Sequence, residues 1–301
     1  MRVAIIGSGG VGGYLGARLW KSGNEVVFVA RGAHLAAMQQ HGLRLESPEE
    51  NIEVKATFTA ALDTPEPFDL IIVSVKSHDT EAAARLALPV LKNDTVVLTI
   101  QTGIGNEEIL SAILGKEHVV PAAAYIISTI ASPGVILHEG GTGKFKFGET
   151  DGTVSPRCLM LEQTFAKAGI VAEPVEDIRK ALWWKFIFIC GVGGMTAYTR
   201  SPIGIILEDY KLKALLWGIV HEAASVGKAL AIDSFDDVEE KILAHCARLP
   251  VLTTSSMFYD LSHGKKVEVE ALNGAVVRFG KKLSVPTPAN EKIYTALKPF
   301  A

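Results

Sequence analysis

The chain has 301 residues, 48% of them hydrophobic, with 30 Lys and Arg against 33 Asp and Glu and a formal charge of −3. That length exceeds one nucleotide-binding unit and predicts two domains, while a mean hydropathy of +0.26 predicts a large core and excludes extensive disorder. The charge balance excludes a basic nucleic-acid footprint; three cysteines, Cys158, Cys190 and Cys246, are odd in number and widely spaced, without metal-ligand spacing, and fit a reducing cytosol.

Val3 to Ile6 reads as a buried parallel strand that runs into Gly7-Ser8-Gly9-Gly10-Val11-Gly12, and Val11, Tyr14, Leu15, Leu19 and Trp20 give the next segment an apolar helical stripe. Strand, Gly-x-Gly-x-x-Gly turn and helix together predict a dinucleotide site. Gly7 permits the turn, Gly9 lets backbone amides approach a pyrophosphate, and Gly12 lets the helix pack on the strand. The anion would rest on free amides at the helix's positive end. Gly23-Asn24 stops the helix and Glu25 to Ala30 forms the second strand. Where an NAD site would place an acid on the ribose 2′-hydroxyl, the chain has Arg31. A guanidinium there either reads the 2′-phosphate of NADP(H) or is a surface arginine beside a turn, and NADP(H) is the expected cofactor.

Further along, Ala33 to Gln40 predicts a short helix, Phe68 to Val75 a buried strand closing on Lys76, Glu81 to Leu91 a helix, Thr95 to Ile100 a strand, and Asn106 to Leu114 a helix. This alternation is that of a doubly wound sheet. Val119 to Gly148 reads as short antiparallel strands at the sheet edge with turns at Ser132-Pro133-Gly134 and Gly140-Gly141, followed by a helix from Pro156 to Ala168 and a last strand from Val171 to Glu173. Helical spacing alone follows, over Ile178 to Ile189, Lys211 to Leu230, Val238 to Ala247 and Val269 to Leu283. The expected architecture is an α/β Rossmann-type dinucleotide-binding domain, residues 1–175, and an all-helical substrate and catalytic domain, residues 176–301. The opening strand leaves no room for a signal peptide, and Phe186 to Tyr198 is too short and glycine-broken for a membrane span. A cytoplasmic protein is expected, with no membrane or nucleic-acid partner; a homodimer is left open.

A hydride delivered to a ketone leaves an alkoxide that needs a proton donor. Lys185 is the candidate, following Trp183-Trp184 in an apolar helix, and Glu268 its candidate partner, at the opening of a later helix where the dipole favours its charge. From pattern alone Lys185 is equally a snorkelling lysine and Glu268 an ordinary first-turn acid. His221-Glu222 lacks the second histidine of a zinc helix and reads as a polar helix edge, and adjacent His245 and Cys246 cannot converge on one ligand.

In order along the chain, Gly7 to Gly12 with Arg31, Val75-Lys76, Gln101 to Glu107, Trp184-Lys185, Thr254 to Asp260, Glu268 to Gly274 and Val285 to Pro288 resemble the ketopantoate reductase (2-dehydropantoate 2-reductase) family. The resemblance spans nearly the whole chain. It implies an NADPH-dependent reductase of a small 2-oxo acid, 2-dehydropantoate or a related substrate. Lys185 matches the family's proton donor, Glu268 its partner and Ser256 its substrate-binding serine, with Thr102 beside the substrate. The cofactor would lie on Gly7, Ser8, Gly9, Gly10, Val11 and Gly12, with Lys76 at its nicotinamide end and Arg31 on its 2′-phosphate. Asn273 and Asp260 also match, although capping or structural roles suit them as well. Three asparagines of the family's pantoate-forming members are replaced by Thr102, Ile189 and Gly193. Each lost side-chain hydrogen bond removes ~1 kcal/mol of recognition, which points to a more apolar 2-oxo acid. Two rivals remain: an NAD-dependent 2-hydroxy acid dehydrogenase of the same fold, and a non-catalytic NADPH-binding sensor.

Overall fold

A computed structural model describes all 301 residues, the side-chain positions 141 and 142 excepted. It divides into two compact units, Met1–Ile178 and Arg179–Ala301, where the sequence places the boundary near residue 175.

The first unit is built on a ten-stranded sheet. Its centre is β1 (Arg2–Ile6), flanked in parallel by β2 (Glu25–Val29), which α1 (Gly10–Lys21) connects to it, and by β6 (Leu70–Val73). Between them in sequence lie α2 (Gly32–His41) and three short strands, β3 (Leu43–Glu46), β4 (Ile52–Val54) and β5 (Thr57–Thr59). After β6 come α3 (Thr80–Ala87), β7 (Val96–Thr99) and α4 (Asn106–Leu114); then β8 (Val119–Ser132), β9 (Val135–Phe147), α5 (Pro156–Lys167) and β10 (Val171–Pro174). The strand order is β4-β3-β9-β8-β7-β6-β1-β2-β5, with β10 beside β9.

Alternate residues of each central strand enter opposite cores, as the period of two requires. Val3, Ile5, Phe28, Leu70 and Ile72 pack with α1 and α5 on one face. Ala4, Ile6, Val27, Ile71 and Val73 pack with α3 and α4 on the other.

Two sequence expectations change. The residues from Val119 to Phe147 form one long hairpin turning at Pro133-Gly134, and β9 runs through Gly140, where its register against β8 shifts. The hairpin is also internal, because β3 pairs with β9 in parallel (Arg44↔Val135) and carries β4 outside it.

The second unit is helical: α6 (Ile178–Thr199, whose first residue falls in the first unit), α7 (Ile203–Glu208), α8 (Tyr210–Ala229), α9 (Val238–Cys246), α10 (Ser256–Ser262), α11 (Asn273–Leu283) and α12 (Pro288–Leu297). Helix α6 continues ten residues beyond the predicted Ile189 through Gly191, Gly193 and Gly194. It is therefore long and apolar enough to cross a membrane by length and composition, and its apolar window is 61% buried, as in a core helix. Its glycines act as contact points: a Cβ at Gly191 would lie 3.0 Å from Leu216 and Val220, and one at Gly194 2.9 Å from Asn273 Oδ1. Close packing there offsets the helix-propensity cost of about 1 kcal/mol per glycine.

Glu222, expected on a polar helix edge, is buried and holds the start of α12, accepting from the amides of Ala289 (2.8 Å) and Asn290 (2.9 Å) and from Asn290 Nδ2 (2.8 Å). Asn273 joins this network through Nδ2, donating to Asn290 Oδ1 (3.0 Å) and Cys190 O (3.2 Å), so its role here is structural.

In the first unit Gly16 lies against β1 and β2, where a Cβ would come within 2.8 Å of the Phe28 ring and 3.0 Å of Ile5. Gly16→Ala is expected to cost about 1–3 kcal/mol, read as a lower urea midpoint with an unchanged m-value.

Candidate functional site

Four groups converge at the carboxyl ends of parallel strands in the first unit: the glycine turn after β1, Arg31 after β2, Lys76 after β6 and Thr102 after β7. A doubly wound sheet forms its ligand crevice at such ends. Gly7 has φ +98°, and a Cβ on it would lie 2.7 Å from Val75 N, so both backbone and space demand glycine. A Cβ at Gly12 would collide with Gly7 O and Ser74 Oγ. A Cβ on Gly9 would point into open space, meeting no atom beyond its own stretch of chain within 4 Å. Helix α1 begins on Gly9 without a side-chain cap, which leaves its leading amides for an anion.

Ser8 has a structural role: its buried hydroxyl donates to Val29 O at 3.0 Å, and its carbonyl accepts from His34. His34 is a residue the sequence reading missed. Gly134 N donates to its Nδ1 at 3.0 Å, so the ring presents Nε2–H to Ser8 O at 2.9 Å. Burial lowers the His34 pKa, against the pull of the Ser8 carbonyl, which favours this neutral tautomer. Because a trans peptide opposes its C=O and N–H, fixing the Ser8 carbonyl turns the Gly9 amide away from His34.

The Lys76 and Thr102 loops are stitched together. Thr99 Oγ1 donates to Gln101 Oε1 (3.0 Å), Gln101 Nε2 to Thr80 Oγ1 (2.7 Å), and Thr80 Oγ1 reaches Asn106 Oδ1 (2.9 Å). Asn106 Nδ2 closes the loop on Thr102 O at 3.1 Å. Lys76 is half-buried at the start of the turn Ser77–Asp79. Glu107, in the first turn of α4, has its pKa raised to about 7 by burial and by the neighbouring Glu108. Arg31 is 73% exposed and pairs with Asp79.

In the second unit Lys185 lies about two turns into α6, and two tryptophans fix the helix's rotation. Trp183 is buried, donating to Ala223 O at 3.1 Å in α8, and Trp184 donates to Asp233 Oδ2 at 3.1 Å and packs on Phe235. Lys185, half-buried, has its pKa lowered by burial from 10.5 to about 8, with the charge of Glu268 pulling it upward. Glu268 is 7% exposed. It precedes α11 in a turn closed by Ala271 N on Glu268 O (3.1 Å), so the helix-opening position expected from sequence is corrected: α11 starts at Asn273.

Ile189 and Gly193 continue the Lys185 stripe at intervals of four along α6. A Cβ at Gly193 would meet Ile189 at 3.5 Å and Met257 at 3.6 Å, ordinary contacts. Ser255 caps α10 by accepting from Phe258 N (3.0 Å) and shares a 2.7 Å hydrogen bond with Thr196 of α6, which seats the exposed Ser256 near the same stripe. Within the second unit Lys185 and Glu268 are thus in electrostatic contact, and the Ser256 turn packs on the same helix farther along, at Thr196 and Gly193. Asp260 is buried in α10.

Residues 3–152 match the family model for ketopantoate reductase PanE/ApbA, and residues 177–301 match the model for its C-terminal region. The chain is 32% identical over 297 residues to the 2-dehydropantoate 2-reductase of Archaeoglobus fulgidus, covering 99% of this chain and 97% of that protein. The crystal structure of a PanE/ApbA family ketopantoate reductase from Ralstonia eutropha JMP134 superposes with a TM-score of 0.92 at 32% identity, covering 100% and 98% of the two chains. A D-mandelate dehydrogenase, solved with NADH and anilino(oxo)acetate, shares the fold at 24% identity, with a TM-score of 0.90 and coverage of 99% and 98%.

His34→Ala is expected to weaken dinucleotide binding about five- to tenfold by freeing the Ser8 carbonyl, with His34→Gln restoring most of it. Titration of the two variants checks this; equal binding would leave His34 with a packing role only.

Proposed function

The chain belongs to the ketopantoate reductase PanE/ApbA family of oxidoreductases, and we propose that it reduces a small 2-oxo acid to its 2-hydroxy acid with NADPH, 2-dehydropantoate to pantoate or a more apolar relative. The observation that carries this reading is Lys185: a lysine in an apolar helix, its pKa brought down to about 8, in charge contact with a buried carboxylate. Such a group donates a proton near neutral pH far more readily than a solvated lysine.

The first unit's residues fit a dinucleotide. The open position above Gly9 and the uncapped start of α1 suit a pyrophosphate, and Arg31 suits a 2′-phosphate. When bound, NADPH supplies the hydride. The remaining work falls to this chain's side chains. Lys185 stabilises the alkoxide oxygen electrostatically and gives it a proton from Nζ. Glu268 keeps that ammonium charged despite burial, because removing a carboxylate from a buried lysine favours the neutral amine. Ser256 donates to the substrate, and Thr102 retains a hydroxyl for the same purpose. Ile189 and Met257 give the Lys185 stripe an apolar flank, which supports a substrate with fewer hydroxyl groups than 2-dehydropantoate.

Lys185→Ala is expected to lower kcat by roughly a hundred- to ten-thousandfold, with the NADPH Kd unchanged within about twofold. Equal loss of both would assign Lys185 to the scaffold.

The wild-type kcat is expected to fall as pH rises through about 8, where Lys185 loses its proton. Glu268→Gln removes the charge that raises this pKa, so the fall moves to lower pH. A pH profile of both enzymes over a panel of 2-oxo acids tests acid role and substrate together, and an unshifted profile would remove Glu268 from this role.

A further inference from the structure

The ribose end of the dinucleotide crevice carries two opposite charges. No acidic side chain ends β2, where an NAD-selective site would place one, and Arg31 stands there instead as the residue preceding α2. An acid nonetheless arrives from another strand. Asp79 closes the turn after β6, and β6 lies on the opposite side of β1 from β2, so its carboxylate pairs with the Arg31 guanidinium across the crevice edge. Asp79 stands at the N-terminal boundary of α3, but its side chain makes no capping hydrogen bond there, so its charge is not committed to the helix. His78 Nε2 lies 3.9 Å from the same oxygen.

Resting on the reading that the glycine turn binds a dinucleotide, we propose that Asp79 sets the choice between cofactors with and without a 2′-phosphate. The carboxylate occupies the guanidinium that a 2′-phosphate would use. A phosphate adds about 1.5 to 2 negative charges, so it must share Arg31 with Asp79 and meet a like charge. Arg31 has five donors and can serve both groups, so Asp79 weakens the 2′-phosphate without excluding it. For a dinucleotide with a free 2′-hydroxyl the same carboxylate is a hydrogen-bond acceptor, the role that the end of β2 leaves unfilled. The pair therefore narrows the preference that Arg31 alone would impose, and it makes use of both cofactors a property of two side chains on adjoining loops.

Direct titration of the full-length wild type, D79N and D79E with NADPH and with NADH, followed by quenching of protein fluorescence, tests this without turnover. D79N keeps the side chain's size and removes its charge; the NADPH-to-NADH affinity ratio is expected to rise roughly three- to tenfold, with NADPH binding tighter and NADH weaker. D79E is expected to keep the wild-type ratio. A ratio within twofold of wild type in D79N, a shift toward NADH, or a D79E shift as large as that of D79N overturns the proposal. If the wild type binds neither dinucleotide, the cofactor reading itself falls; if it binds both and D79N leaves the ratio unmoved, only the role of Asp79 falls.

Discussion

The first unit depends on how near α1 comes to the strands beneath it. Five glycines set that distance: Gly7 lies against the backbone after β6, Gly12 against the turn that Gly7 begins, Gly16 against Phe28 and Ile5, and Gly10 and Gly13 against Ser128 of β8 and Ile136 of β9. Because Ser74 Oγ donates to Gly7 O at 2.7 Å, the β6 end is tied to the same point. Moving the helix outward would separate the turn from both neighbouring strands. The amides at the start of α1, the Arg31 position and the loop that carries Lys76 are therefore placed by one packing contact, with the hydrogen bonds of Ser8 and His34 fixing the turn's orientation.

The second unit solves a different problem, which is to hold a cation in an apolar helix. Burial disfavours the charged lysine and the nearby carboxylate favours it, and for Lys185 burial is the larger effect. The balance needs a fixed geometry. Trp183 and Trp184, anchored on α8 and on Asp233, prevent α6 from turning about its axis, while the Glu222, Asn290 and Asn273 network joins α8, α12, α11 and the Cys190 carbonyl of α6. Glu268 lies only five residues before Asn273, so the network that orders α11 also locates the partner of Lys185.

Long apolar runs and glycine spacing were legible in the sequence: β1, β6 and β7, α1 and α4 were read closely, as was the change to helices after residue 175. Strands β3, β4 and β5 were not, because three or four residues are too few to show a period and the partners of Arg44 and Leu45 lie some ninety positions away, at Val135 and Ile136. Pattern alone offers Lys185 and Glu268 as a candidate pair with ordinary surface charges equally compatible, and it is the resemblance that favours the pair. His34 was illegible for another reason. Its chemistry arises from the Ser8 carbonyl and a hairpin turn at Gly134, and neither is visible as a motif. Glu222 was misread because its exposed neighbour His221, paired with Glu239, carries the polar signal of that helix.

The glycines of α6 separate what the fold requires from what the site leaves open. Gly191 and Gly194 sit so close to α8 and Asn273 that an added Cβ would require Leu216 and Val220, or the Asn273 side chain, to shift. Gly193 has ordinary room for a Cβ, with Ile189 and Met257 as its neighbours. Nothing in the helix packing requires glycine there, and the same stripe that carries Lys185 is apolar at Ile189. A family member with asparagines at these two positions could hold polar substrate groups without altering α6, whereas this chain offers them no side-chain partner at either place. An unpaired hydroxyl costs more than a missing methylene when it is buried. If the stripe faces the substrate as proposed, it discriminates by what it fails to satisfy, while the pKa of Lys185 is set separately by burial and Glu268.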